Sequence, residues 1–299
     1  MLVLWVLALL IIIAVGLTAT QRTETALAGS QLATARFRAA AEAGIGWAVL
    51  NLLAPETAFD EEEAQGWVPD GEAHPWAFGG ESLEIKVSDE ASRIDINKAS
   101  RDLLEDLLKA ASLTEDEASA LADAIEDWRD TNDLTELQGA EDSDYEDAGR
   151  SYGAKDGPFD SVEELQLVLG VDRDLYRTLK PAVSVDSGRA TPNEEFAPPL
   201  VQAALQGITL EEAELKQDEQ AGATESGDSK IGSVGRGGPL YRIRVTSMRE
   251  GRAGLAMEAL VNVRVRGGEP FKVLWRRFGL IAEGSVATSE EEGEATGGF

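Results

Sequence analysis

Nine carboxylates crowd into residues 127–149, DWRDTNDLTELQGAEDSDYEDAG: Asp127, Asp130, Asp133, Glu136, Glu141, Asp142, Asp144, Glu146 and Asp147, with Arg129 the one basic residue among them. Like charges at this density repel, so the stretch needs a cation, a reaction, a partner or water around it. Hard oxygen donors in a flexible loop suit Ca²⁺, which takes six to eight of them. The spacing is not that of an EF-hand. Asp142, Asp144 and Glu146 alternate correctly, but Asp147 stands where the loop needs Gly and Gly153 where it needs Glu. Started at Asp130, the pattern puts Leu134 at the fifth loop position, where an acid is needed. A pair of carboxylates can also cleave a glycosidic bond when an apolar wall raises one of them. Trp128 is the candidate wall, but no aromatic substrate platform accompanies it, and Trp128 reads better as closing a core behind helix 114–128. On composition alone the stretch reads as a solvated acidic loop.

Other chemistries are excluded more firmly. The chain has no Cys and one His, His74, which removes disulfides, thiolate nucleophiles and Cys-ligated zinc and leaves little for a Ser-His-Asp triad. His74 lies between acids and prolines and reads as solvated. The formal net charge is -28 over 299 residues. Two segments, RIDINKASRDLLEDLL and FDSVEELQLVLGVDRDLYRTLKPAV, have the outline of helix-hairpin-helix units. Their turns lack a G-x-G and their flanks are acidic, so the phosphate interaction is repulsive and no nucleic acid is expected as a partner.

The elements that must carry the loop follow from periodicity. Residues 1–19, MLVLWVLALLIIIAVGLTA, are uncharged and long enough to cross a bilayer. The run is too long for a signal-peptide core and ends without a small-residue cleavage site. Leu27, Leu32, Phe37, Trp47 and Leu50 continue at near-helical spacing, and Pro55 is the first stop. Residues 1–54 therefore form one helix, apolar first and amphipathic after. Residues 56–81 are loop-like, and Ser82–Ser88 alternates as a strand. Asn97–Ser100 leads into a leucine-faced helix, Thr114 with Glu117 forms a capping box, and Ser161 with Glu164 repeats it, with Gly170 as a C-cap. A weak internal repeat pairs Asn97 with Asn193, each ahead of two helices. After Gly232, LYRIRVTSM, AMEALVNVRV and FKVLWRRFG form a meander, in which Trp275 and Phe278 pack on the long helix. The tail after residue 283 has no periodicity. The architecture is α+β: an antiparallel sheet from 55–88 and 232–283 packed on the long helix, a helical block inserted at 89–231, and a disordered tail at 284–299.

Several stretches together resemble the type II secretion system protein K family of minor pseudopilins: VLWVLALL, RIDINKAS, AIEDWRDTND, GAEDSDY, GPFDSVEELQLVLGV, LKPAVSV and the final meander. The resemblance implies a pseudopilin fold with a large helical insertion, an inner-membrane anchor and a periplasmic globular part. It implies a non-enzymatic role at the tip of a short filament, with the minor pseudopilins I and J as partners and with the secretin or secreted substrates as further contacts. It also implies Ca²⁺ in the insertion, held by Asp130, Asp133, Glu141, Asp142 and Asp144. The family's basic leader ending in Gly does not precede Met1, so an upstream or missing start is expected. Without the resemblance, the chain reads as a single-pass adaptor or receptor whose helical insertion binds a partner.

Overall fold

A computed structural model of the chain describes residues 2–54, 67–225, 237–248, 254–263 and 270–280. Helix α1 runs unbroken from Leu2 to Leu53, about 80 Å at 1.5 Å per residue. Its second half buries Phe37, Ala41, Ile45, Ala48 and Leu52, spaced by four, four, three and four residues, which is one helical face. That face lies on a five-stranded antiparallel sheet of order β1-β2-β5-β6-β7. The strands are β1 (Asp70–Phe78), β2 (Glu81–Asp89), β5 (Leu240–Ser247), β6 (Leu255–Asn262) and β7 (Lys272–Leu280). Register lines the apolar residues into rows beneath α1: Ile85, Val245, Met257 and Phe278 in one, Val87, Ile243 and Ala259 in the next. Gly44 faces this sheet, where a Cβ would already meet Ile85 Cδ1 at 3.2 Å and Trp76 Cζ3 at 3.4 Å.

Residues 90–225 are inserted between β2 and β5. Two short strands, β3 (Ile94–Asp95) and β4 (Val183–Ser184), pair in parallel at the base of the insertion. Around them lie α2 (Arg101–Ala110), α3 (Glu115–Arg129), α4 (Asp142–Asp147), α5 (Arg173–Leu179), α6 (Pro199–Gln206) and α7 (Leu210–Glu225). Ser100 caps α2, and Thr114 with Glu117 caps α3 reciprocally, as the spacing requires. The two repeat units pack through α2 and α6. Their asparagines do related work. Asn97 brackets the Phe159 backbone with bonds of 2.7 and 3.0 Å, and Asn193 donates to Asp89 at 3.1 Å. The insertion has its own core, including Leu104, Leu108, Ile125, Trp128, Tyr145 and Leu179.

Several sequence expectations need correction. Residues 70–78 are a strand, so the sheet has five strands. Pro75 and Gly71 mask the alternation, and both are tolerated because β1 is an edge strand. The segment after Ser161 is a 3-10 helix, Val162–Leu167, and Ser161 makes no side-chain cap. Glu164 instead accepts from the Asp160 amide at 3.0 Å and pairs with Lys155 at 2.7 Å. His74 stacks on Trp67 with centroids 4.2 Å apart. Phe278 does reach α1, 5.9 Å from Phe37. Trp275 does not: the register slips between Leu260 and Val261, and the extra residue, Leu274, turns Trp275 to the opposite face. Among the described residues no helix is long and apolar enough to cross a membrane. The side chains of residues 11–23, within the expected span and just beyond it, lie outside that description, as does the tail after residue 280.

Candidate functional site

The acidic stretch is not a free loop. Helix α3 ends by burying two of its own carboxylates beneath it. Asp127, fully buried, accepts the Glu136 amide at 3.0 Å, with Ala140 as a second backbone donor. Asp123 accepts the Gln138 amide at 3.1 Å and pairs through its other oxygen with Arg101. Asp130 accepts the Asn132 amide at 3.0 Å, and Asn132 in turn accepts the Leu134 amide at 3.0 Å. The amides of residues 132, 134, 136 and 138 are thus each held by a side-chain oxygen. Gly139 is required here, because a Cβ would overlap the Asp127 carboxylate; Gly153 stands in the same relation to Asp142.

Beneath the loop lies an aromatic floor. The Trp128 ring centroid is 5.8 Å from that of Tyr145 and 6.1 Å from that of Phe159. Tyr145 is buried, accepts the Leu169 amide at 3.3 Å, and has its phenol pushed up to about 12 by that burial. Trp128 closes the core from the buried face of the last turn of α3. Arg129 donates to the Ile96 and Ala99 carbonyls, which fixes the end of α3 against the β3–α2 connection.

Glu141 is the electrostatic centre. It is 6% exposed, and its Oε1 has no protein partner. Burial, reinforced by Asp127, Asp156, Asp130 and Asp133, pushes its carboxyl up to about 7. Asp156, exposed and held at a left-handed φ of 53°, is raised by slight desolvation and by Asp133, Asp142 and Asp130. Of the expected ligands, Asp130, Asp133, Glu141 and Asp142 share this negative basin. Asp144 is turned away, capping the Glu141 amide at 3.0 Å. Asp127 and Asp156 belong to the basin and were not foreseen as ligands. Nothing in the spacing marked either Asp127 or Asp156. Among the described residues no three such groups stand close enough to hold an ion as they are. The donor chemistry still fits a hard cation: all oxygen, negative, and including one buried orphan acceptor.

A second cluster joins insertion to sheet. Glu90, fully buried just past β2, takes a two-pronged bond from Arg242 of β5 and another from the Ser184 hydroxyl of β4. Burial alone would raise the Glu90 carboxyl; Arg242 and Arg93 hold it below the usual range. Trp275 donates to Asp186 at 3.0 Å, and the Arg242 and Arg277 guanidinium groups lie 5.3 and 4.7 Å from its ring centroid.

A long helix laid on an antiparallel sheet, with a helical domain inserted between two strands, is the pseudopilin fold in the form that carries a large insertion. A solved structure shares it: a chain of the GspK-GspI-GspJ complex from enterotoxigenic Escherichia coli, TM-score 0.59, covering 84% of this chain and 98% of that one. At 17% identity this likeness establishes the fold. Residues 83–187 match the family model described as type II secretion system (T2SS), protein K. The type II secretion system protein K of Pectobacterium carotovorum subsp. carotovorum is 34% identical over 113 residues, 36% of this chain and 34% of that protein. That of Aeromonas hydrophila is 30% identical over 176 residues, 58% of this chain and 51% of that protein. The matched stretches therefore span from a third to about half of the length of these relatives.

Proposed function

We propose that the chain is a minor pseudopilin of a type II secretion system, placed at the tip of the periplasmic pseudopilus with pseudopilins I and J as its partners. Its role is structural and non-enzymatic, supporting assembly of the filament and export of proteins across the outer membrane. Residues 1–19 anchor it in the inner membrane, with the folded part in the periplasm. The observation that carries the reading is a second stripe on α1, facing away from the sheet: Leu32, Ala39, Ala43, Gly46 and Leu50, with Trp47 beside it. Their spacing of seven, four, three and four is that of a helix-packing seam. Gly46 has open space around its Cβ position, unlike Gly44. A surface helix has no use for an apolar outward seam unless another helix covers it.

The test is co-expression of the full chain with I and J, followed by size exclusion in detergent. A ternary complex is expected, and Gly46→Arg is expected to lose it without lowering the monomer's stability. Intact assembly of the Gly46→Arg chain would sink the seam, and failure of the unaltered chain to bind either partner would sink the tip role.

Calcium belongs to the same proposal. Asp130, Asp133, Glu141 and Asp142, joined by Asp156, would hold it, and Asp144 would act only through the Glu141 amide. The ion would supply charge neutralisation, tying residues 130–142 to the segment around Asp156.

A further inference from the structure

We propose that Leu134 and Leu137 form a docking point for a cationic amphipathic segment of a partner protein, distinct from the α1 seam. Leu134 is 77% exposed and Leu137 is 93% exposed. Each leaves apolar surface in water that burial against a partner would remove. Lone exposed leucines are ordinary on protein surfaces. These two are not placed by a loose chain. The Leu134 amide is tied to Asn132 at 3.0 Å, and the amides on both sides of Leu137 are tied to the buried Asp127 and Asp123, at 3.0 and 3.1 Å. The scaffold therefore presents both side chains outward in a fixed relation, with little ordering entropy left for a partner to supply.

The surroundings select the partner. Asp133 and Glu136 are exposed on the same turn, and Asp130 is half-buried at its start. A segment with two apolar side chains flanked by Lys or Arg would place its apolar groups on Leu134 and Leu137 and its cations beside these carboxylates. An acidic segment would be repelled by the turn and by the net charge of -28. The small contact implies a weak, salt-sensitive and fast-exchanging interaction. This goes beyond the filament role and does not rest on it.

The test uses the full chain in nanodiscs of zwitterionic lipid, with empty nanodiscs as background. The probe is a fluorescein-labelled Leu/Lys amphipathic peptide, compared with its Leu/Glu counterpart, in EDTA and again in calcium. Fluorescence anisotropy should show saturable binding of the Leu/Lys peptide only, tighter in EDTA than in calcium, because the ion assigned to Asp130 and Asp133 would neutralise them. Leu134→Ser/Leu137→Ser should weaken it by at least about tenfold, since two apolar contacts are lost. Glu136→Gln should flatten its salt dependence, and Leu215→Ser, at an exposed leucine on α7, should change nothing. Equal binding by the double variant, or by the Leu/Glu peptide, would overturn the proposal. So would self-association of the chain that requires both leucines without any peptide binding, since a second copy would then be the occupant. Failure here with an intact I and J complex would leave the filament role standing.

Discussion

Trp275 of β7 donates its indole N–H to Asp186, two residues past β4, at 3.0 Å. This bond crosses from the outermost strand of the sheet to the base of the inserted domain. The Arg277 guanidinium that lies over the same ring also pairs with Glu163 at 3.2 Å. One aromatic residue therefore helps set how the insertion stands on the sheet. Trp275→Phe keeps most of the packing and removes the donor, and it is expected to cost about 1–2 kcal/mol. Denaturant unfolding measures the loss. In a double-mutant cycle with Asp186→Asn the two changes should be clearly less than additive, and simple additivity would mean that the bond contributes nothing.

The buried pair beside it should respond more strongly. Removing one member of Glu90 and Arg242 strands the other's charge. Glu90→Gln or Arg242→Met is expected to destabilise by about 3 kcal/mol or more, whereas Glu90→Leu with Arg242→Met should cost less than the summed singles. Unfolding midpoints of the three variants decide it, and equal small losses would show that the pair is solvated.

For the acidic basin, EDTA is expected to lower the melting temperature of the purified chain and Ca²⁺ to restore it. Mg²⁺ should restore it poorly because it demands tighter octahedral geometry. Glu141→Gln and Asp156→Asn should blunt the calcium response, and Asp144→Asn should weaken it less. A melt indifferent to chelator, with no metal found by mass spectrometry, would remove calcium from the account.

Without the ion, the same basin should make stability fall as pH rises. The folded Glu141 carboxyl titrates at about 7, above its ordinary value of 4.5, so the folded state holds a proton that the unfolded state has released. That contribution is complete below about pH 4.5 and disappears as pH climbs through about 7, a loss of roughly 3 kcal/mol. Thermal melts in EDTA from pH 5 to 8 should show the decline, and Glu141→Gln should flatten it. In calcium the trend should weaken or reverse, because the ion competes with the proton.

Two glycines in one turn of α1 should behave oppositely. Gly46→Ala is expected to stabilise the isolated chain by about 0.5–1 kcal/mol, as a helix-interior glycine replaced in open space. Gly44→Val should destabilise it by about 1–3 kcal/mol through overlap with Ile85 and Trp76. Unfolding curves of the two variants separate the packed face from the outward one.

The sequence by itself determined what rests on local pattern. The unbroken run to Pro55 specified one helix, period-two alternation specified β2 and the meander, and Thr114 with Glu117 specified where α3 begins. It also determined the donor chemistry of the acidic stretch, since oxygen-only ligands are readable from residue types. It did not determine which carboxylates face one another. Asp156 joins the basin through a fold-back that no spacing marks, and Asp144 leaves it because a helix terminus competes for its oxygen. The side of the sheet on which Trp275 stands was equally hidden. Trp275 and Phe278 are three apart and cannot share a strand face, but only the slip at Leu274 decides which one meets α1. Buried Asp123 and Asp127 read as two more acids in an acidic chain until the fold placed loop amides within 3.1 Å of their oxygens. Periodicity carries local geometry because it depends on neighbours along the chain. Charge partners and strand faces depend on residues far apart in sequence, and only the packed tertiary structure brings them together.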